Sequence, residues 1–139
     1  MKVLANNKNA GFQYFLDTFY ECGMVLEGWE VKGILAGKLS INEAYVRVIG
    51  EEVFLVGCTI TPVGNNTAFT GVDPMRSRKL LLNKSEISKL IGKTQISGFT
   101  LVPVKVYYKN RRIKMEIALA KGKKLQDKRE AKKTKDVER

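Results

Sequence analysis

Hydrophobic positions along the chain alternate in strand-like runs broken by two short segments of helical period. Residues 12–26, FQYFLDTFYECGMVL, are rich in apolar and aromatic residues and too long for one flat strand, which predicts a bulge or bend around Glu21 to Gly23. Residues 28–36 place Val31, Ile34 and Leu35 on one helical face, with Gly37 available as a cap. Ser40-Ile41-Asn42-Glu43 imitates a capping box, but residues 44–48 read as strand, and a turn at Gly50-Glu51 joins them to residues 53–60 in a hairpin. Residues 61–73 are turn-rich. Asn83 followed by Glu86 forms a capping pair for a second helix, with Ile87, Leu90 and Ile91 as its apolar stripe and Gly92 as its stop. Residues 99–108 and 112–120 are two further strands joined by a tight turn at Lys109-Asn110-Arg111. Pro103 gives the first of them an edge or a bulge.

Five strand segments with a helix between hairpins predict a mainly β protein. The expected architecture is a small closed or nearly closed barrel of the OB-fold type, with about two to three helices. The barrel should occupy residues 1–120. Residues 121–139 hold nine basic and four acidic residues, and Leu125 and Val137 are their only large apolar side chains. Such a segment buries too little surface to offset its ordering entropy, so a basic tail, disordered when free, is expected.

Charge narrows the function. The 139 residues carry 25 Lys and Arg against 14 Asp and Glu, a net charge of +11, which calls for an anionic partner such as nucleic acid. No apolar run approaches the roughly 20 residues of a spanning helix, and residues 1–12 have no signal-like apolar core, so a cytoplasmic protein with no membrane partner is expected. Cys22 and Cys58 sit in apolar contexts and read as buried free thiols. With no histidine and no Cys-x-x-Cys pair, neither a catalytic residue, a metal site, a cofactor nor a small-molecule substrate is indicated. Residues 33–38, GILAGK, lack the spacing and the hydroxyl of a phosphate loop. A metal-dependent nuclease is also disfavoured, because Asp73 and Glu51-Glu52 form no carboxylate cluster.

Three basic clusters specify the anion further: Arg76-Ser77-Arg78-Lys79, then Lys109-Asn110-Arg111-Arg112 with Lys114, then Lys121 through Arg129. Lys and Arg at this density neutralise phosphates. Tyr107 and Tyr108 could stack bases, although strand neighbours face opposite ways, so at least one belongs to the core. Four strings in order carry a resemblance: NNKNAGFQYF, YECGMVLEGWEVKGILAGKLSINEAYV, DPMRSRKLLLNKSEISKLIGK and ALAKGKKLQDKRE. Together they resemble the small protein B family, the bacterial partners of transfer-messenger RNA (tmRNA).

The resemblance implies an OB-fold barrel that binds the tRNA-like domain of tmRNA and enters the A site of a stalled ribosome. There it would substitute for the missing anticodon arm, so that the incomplete protein is tagged by trans-translation. It implies RNA-binding roles for Glu21, Leu81 and Lys114, with weaker assignments for Asn7, Lys8, Arg78 and Lys79. It further implies a tail working in the decoding centre through Asp127, Lys128 and Arg129, with Lys121, Lys123 and Lys124 on RNA or ribosome. Only ten residues follow that Asp-Lys-Arg motif, where many family members carry more, which limits the expected reach of the tail. The alternative is a ribosomal or RNA-chaperone OB module that binds structured RNA without a rescue role.

Overall fold

The computed structural model describes residues 1–64, 71–96 and 98–122. These hold nine strands and three helices. In chain order they are β1 (Lys2–Asn6), α1 (Ala10–Gln13), β2 (Tyr14–Met24), α2 (Gly28–Leu35), β3 (Leu39–Ser40), β4 (Tyr45–Ile49), β5 (Glu52–Val56), β6 (Thr59–Ile60), β7 (Arg78–Leu81), α3 (Lys84–Thr94), β8 (Phe99–Lys109) and β9 (Arg112–Gly122). Seven strands form one antiparallel sheet in the order β1-β8-β9-β2-β7-β5-β4, and β3 pairs with β6 in a second ladder of two residues per strand.

The expected mainly β architecture is present, but the sheet curls without closing. β4 comes to lie beside β8, yet no ladder joins them among the described residues. Ala10 buries itself against Val102, Ala118 and Ala120 on the outer face of the sheet, a small second core separate from the main one. Main-core side chains come from alternate positions of the strands: Val53 and Leu55, Val106, and Ile113, Met115, Ile117 and Leu119.

Local rules explain the elements. The β8–β9 turn puts Asn110 and Arg111 at φ 53° and 63°, the pair of positive values that a two-residue hairpin matching strand twist requires. Register slips in β8 between Pro103 and Lys105, as its missing N–H predicted. Asn7 secures this bulge: its side-chain amide donates to the Pro103 carbonyl at 2.9 Å and its backbone N–H to Val104 at 2.8 Å. α2 stops as expected at Gly37, φ 78°, where the Lys38 N–H donates to the Gly33 carbonyl at 2.8 Å. α3 opens on the predicted box, the Glu86 N–H donating to Asn83 Oδ1 at 2.9 Å and the Asn83 N–H to Glu86 Oε1 at 3.3 Å.

Several expectations are corrected. β2 is regular from Thr18 through Gly23, and its irregularity lies nearer its start, between Leu16 and Thr18. The segment 53–60 is two strands, because Gly57 adopts φ 79° and turns β6 away towards β3. α3 runs through Gly92 to Thr94, since the capping box and Leu90 in the core outweigh one glycine. β1 and β7 are strands that no alternation announced. β9 continues through Lys121 and Gly122, past the expected barrel boundary, because β2 and β8 extend alongside it. The two cysteines are free and buried, as read, and desolvation pushes the Cys22 thiol up to about 12 and the Cys58 thiol up to about 11.

Two helical glycines should respond oppositely to alanine. A Cβ at Gly33 would lie 2.8 Å from Ile60 Cγ2 and 2.8 Å from the Thr61 carbonyl oxygen, whereas a Cβ at Gly92 meets nothing within 4 Å. Gly33→Ala should therefore destabilise by about 1–2 kcal/mol despite its gain in helix propensity. Gly92→Ala should stabilise by about 0.4–1 kcal/mol. Urea unfolding of both variants checks the contrast.

Candidate nucleic-acid interface

Three of the predicted residues fall on neighbouring strands. Leu81 of β7 pairs with Gly23 of β2, and Gly23 pairs on its other side with Lys114 of β9. Glu21 lies two positions before Gly23 and so shares its face of the strand. The row Leu81–Gly23–Lys114 opens on a cleft of about 470 Å³, with Val31 and Leu35 of α2 on one side and Tyr108, Arg111 and Arg112 of the β8–β9 hairpin on the other. Leu81 is 51% exposed and Leu35 49% exposed, an unusual outlay of leucine surface beside three cations. Chemically the cleft offers apolar contact for a flat base and positive charge for its phosphates. Of Val31, Ile34 and Leu35, expected on one face of α2, Ile34 is buried in the core, whereas Leu35 is exposed and lines this rim with Val31.

Glu21 is exposed and, among the described residues, is engaged through one oxygen. Its Oε2 accepts hydrogen bonds from the Tyr107 hydroxyl and from Lys109 Nζ, the latter at 3.2 Å. The Tyr107 hydroxyl, with help from Lys109 and Lys114, holds the Glu21 carboxyl below its ordinary value against a partial desolvation that works the other way. Of the two tyrosines, Tyr107 is the packed one and Tyr108 the one that reaches the cleft.

The weaker assignments are dispersed. Asn7 is occupied by the β8 bulge and lines a second, polar cleft of about 430 Å³ in the β4–β8 seam, with Gln13, Asn42 and Tyr45. Lys8 is exposed in the turn before α1, on the chain segment that borders that seam. Lys79 is partly exposed and pairs with Glu52 at 2.6 Å. Arg78 is corrected outright: it has no exposed surface and cannot meet a phosphate. Its Nε donates to Glu30 at 2.7 Å and its two terminal nitrogens to the Cys58 and Pro74 carbonyls at 2.7 and 3.0 Å. Lys121 sits exposed within β9, paired with Phe15 and Phe99. Lys123, Lys124, Asp127, Lys128 and Arg129 lie outside the described residues.

Sequence reading missed the partner of Arg78. Glu30, wholly buried on α2, also takes two bonds from Arg76, at 2.5 and 3.2 Å, and one from the Glu27 N–H at 2.7 Å. Burial alone would raise the Glu30 carboxyl; the donors from Arg76, Glu27 and Arg78 outweigh it and hold the group below its ordinary value. The pattern Glu-x-x-Glu at positions 27 and 30, a capping box at the start of α2, was the available signal for the helix start, but nothing local links Glu30 to the arginines at 76 and 78.

An open, strongly curved OB-type sheet with a basic, leucine-bearing cleft defines a binding module. The comparisons specify it. The family model for the SmpB protein matches residues 4–139. The SsrA-binding protein of Azoarcus sp. (strain BH72) is 52% identical over 136 residues, covering 98% of this chain and 92% of that protein. The SsrA-binding protein of Thiobacillus denitrificans is 52% identical over 136 residues, covering 98% and 91%. A solved chain from "tmRNA-SmpB: a journey to the center of the bacterial ribosome" superposes with a TM-score of 0.72 at 38% identity, covering 91% of this chain and 92% of that one. The chain belongs to the SmpB family.

The Glu30 cluster generates a stability prediction. Its carboxyl is lowered in the fold relative to an ordinary 4.5, so its stabilisation is present above the unfolded value and lost as pH falls through the folded one. Stability should decline below about pH 4.5 more steeply than in a Glu30→Leu, Arg78→Met variant. Glu30→Ala alone strands a buried guanidinium and should cost about 3–5 kcal/mol. Thermal melts from pH 3 to 7 check both.

Proposed function

We propose that this chain binds the tRNA-like domain of tmRNA and brings it to stalled ribosomes for trans-translation, standing in for an anticodon arm at the decoding centre. The observation that carries this reading is the row Leu81–Gly23–Lys114 beside Glu21 in a member of the SmpB family, whose relatives are SsrA-binding proteins. Leu81 packs on an unstacked base, Lys114 neutralises phosphate, and Glu21 accepts from base amino groups or ribose hydroxyls. The protein acts by binding and positioning RNA rather than as an enzyme, and it works in the cytoplasm with the ribosome. Family membership leaves no ground for the general RNA-chaperone alternative.

The barrel and the tail divide this work. Residues up to Gly122 grip the tRNA-like domain. Residues 123–139 are strongly basic and act on the ribosome, with Asp127, Lys128 and Arg129 in the decoding centre and Lys123 and Lys124 on the path to it. Like charges four apart, as at Lys124 and Lys128, oppose a helix in free solution, and ribosomal RNA would screen them.

Glu21→Ala, Leu81→Ala and Lys114→Ala should each weaken binding to the tRNA-like domain with the fold intact. Lys114→Ala should also reduce the salt slope by about one. Titrations across a salt series beside thermal melts test this, and unchanged affinity in all three would refute the site. Truncation after Gly122 should leave most of the RNA affinity and abolish tagging in a reconstituted stalled-ribosome assay; normal tagging would refute the division.

A further inference from the structure

Resting on the assignment of Glu21 as an RNA contact, we propose that Tyr107 is a positioning residue for RNA recognition. Its hydroxyl holds one oxygen of Glu21 and leaves the other turned outward to RNA donors.

The geometry is specific. Tyr107 stands on β8 and Glu21 on β2, with β9 between them. Tyr107 pairs with Lys114 and therefore sits on the outer face of the sheet, yet it is only 3% exposed. Its ring lies across the intervening strand, with Lys105 Nζ 5.8 Å from its centroid, and its hydroxyl ends on Glu21 Oε2. Lys109 Nζ reaches the same Oε2 at 3.2 Å. Among the described residues no hydrogen bond is made to Oε1. One oxygen is thus committed to the protein, and the other retains its full accepting capacity.

This arrangement resolves a difficulty in using an acid on RNA. A free glutamate beside phosphates is repelled and would lose its side-chain freedom on binding. Here Lys109 offsets the charge, and the tyrosine hydroxyl has already selected the rotamer in the unbound protein. Preorganisation of one long side chain is worth about threefold to tenfold in affinity. Tyr107 is suited to the task because its rigid ring spans β9, a reach that a short hydroxyl residue lacks. Removal of the hydroxyl alone, by Tyr107→Phe, keeps the ring and its packing.

The experiment uses the full chain and an RNA of the tRNA-like domain. Affinities are measured for wild type, Tyr107→Phe, Glu21→Ala and the double variant, beside thermal melts. Glu21 carboxyl titration is followed separately by carbon-13 NMR without RNA. The titratable and charged groups facing that carboxyl are Tyr107, Lys105 and Lys109 from β8 and Lys114 and Glu116 from β9; Cys22, its neighbour on β2, points into the core. Tyr107→Phe should fold, weaken RNA binding by about threefold to tenfold, and move the carboxyl titration upward. In the Glu21→Ala background it should add nothing. If Glu21→Ala weakens binding and Tyr107→Phe does not, the positioning role is overturned while the RNA contact stands. An equal loss from Tyr107→Phe with and without Glu21 overturns it as well, since the tyrosine would then act through packing alone. If Glu21→Ala binds as wild type, the RNA contact fails and the positioning role fails with it.

Discussion

A carboxylate with no exposed surface, Glu30, holds α2 against β7 through the buried guanidinium of Arg78. Two charges withdrawn from water are tolerable only if their polar atoms find partners, and among the described residues each nitrogen and oxygen of the pair does. Arg78 also takes the carbonyls of Cys58 and Pro74, where the chain leaves the β5 hairpin and where it returns to β7. One ion pair thereby fixes three separate pieces of backbone. It also fixes the cleft, because Val31 and Leu35 ride on α2 and Leu81 closes β7, three residues beyond Arg78. Arg76 adds a second, partly exposed clamp on the same acid.

The cleft combines features that folding alone would not keep together. Leu81 and Leu35 expose half their surface, while Arg111 and Arg112 crowd a hairpin turn whose two central residues both have positive φ. For Arg111, a non-glycine, that conformation is uncommon and is held by the ladder of β8 and β9 on either side. Gly23 leaves the floor between Leu81 and Lys114 without a side chain; a Cβ there would make only ordinary contacts with Leu81, at 3.5 Å and beyond. The glycine is thus not demanded by packing, and the open floor suits a planar group entering from outside.

Much of the fold was legible where one local rule acts alone: the Asn83–Glu86 box, the Gly37 cap, the Pro103 bulge and the β8–β9 hairpin all stand where their residues placed them. Misreadings arose where tertiary partners decide. β7 is masked by its own basic residues, since nothing in Arg78-Lys79 reveals that one is buried against a glutamate 48 positions earlier. Tyr107 and Tyr108 invert simple parity. The tyrosine on the core-facing register lies at the end of the ladder and reaches the cleft, whereas its outward neighbour is covered by the residues around Glu21. Glu21, Leu81 and Lys114 came from a family resemblance; the pairing through Gly23 supplies the physical reason they belong together, and the same geometry withdraws Arg78 from the surface.

In the proposed function, RNA enters the cleft between α2, β7 and the β8–β9 hairpin. Amide chemical-shift mapping of the full chain with a tRNA-like-domain RNA tests it most directly. The largest changes should fall on Gly23, Leu35, Leu81 and residues 111–114, with little effect along the β4–β8 seam. Changes concentrated instead on Asn42, Tyr45 and the α1 segment, with the cleft silent, would contradict the account.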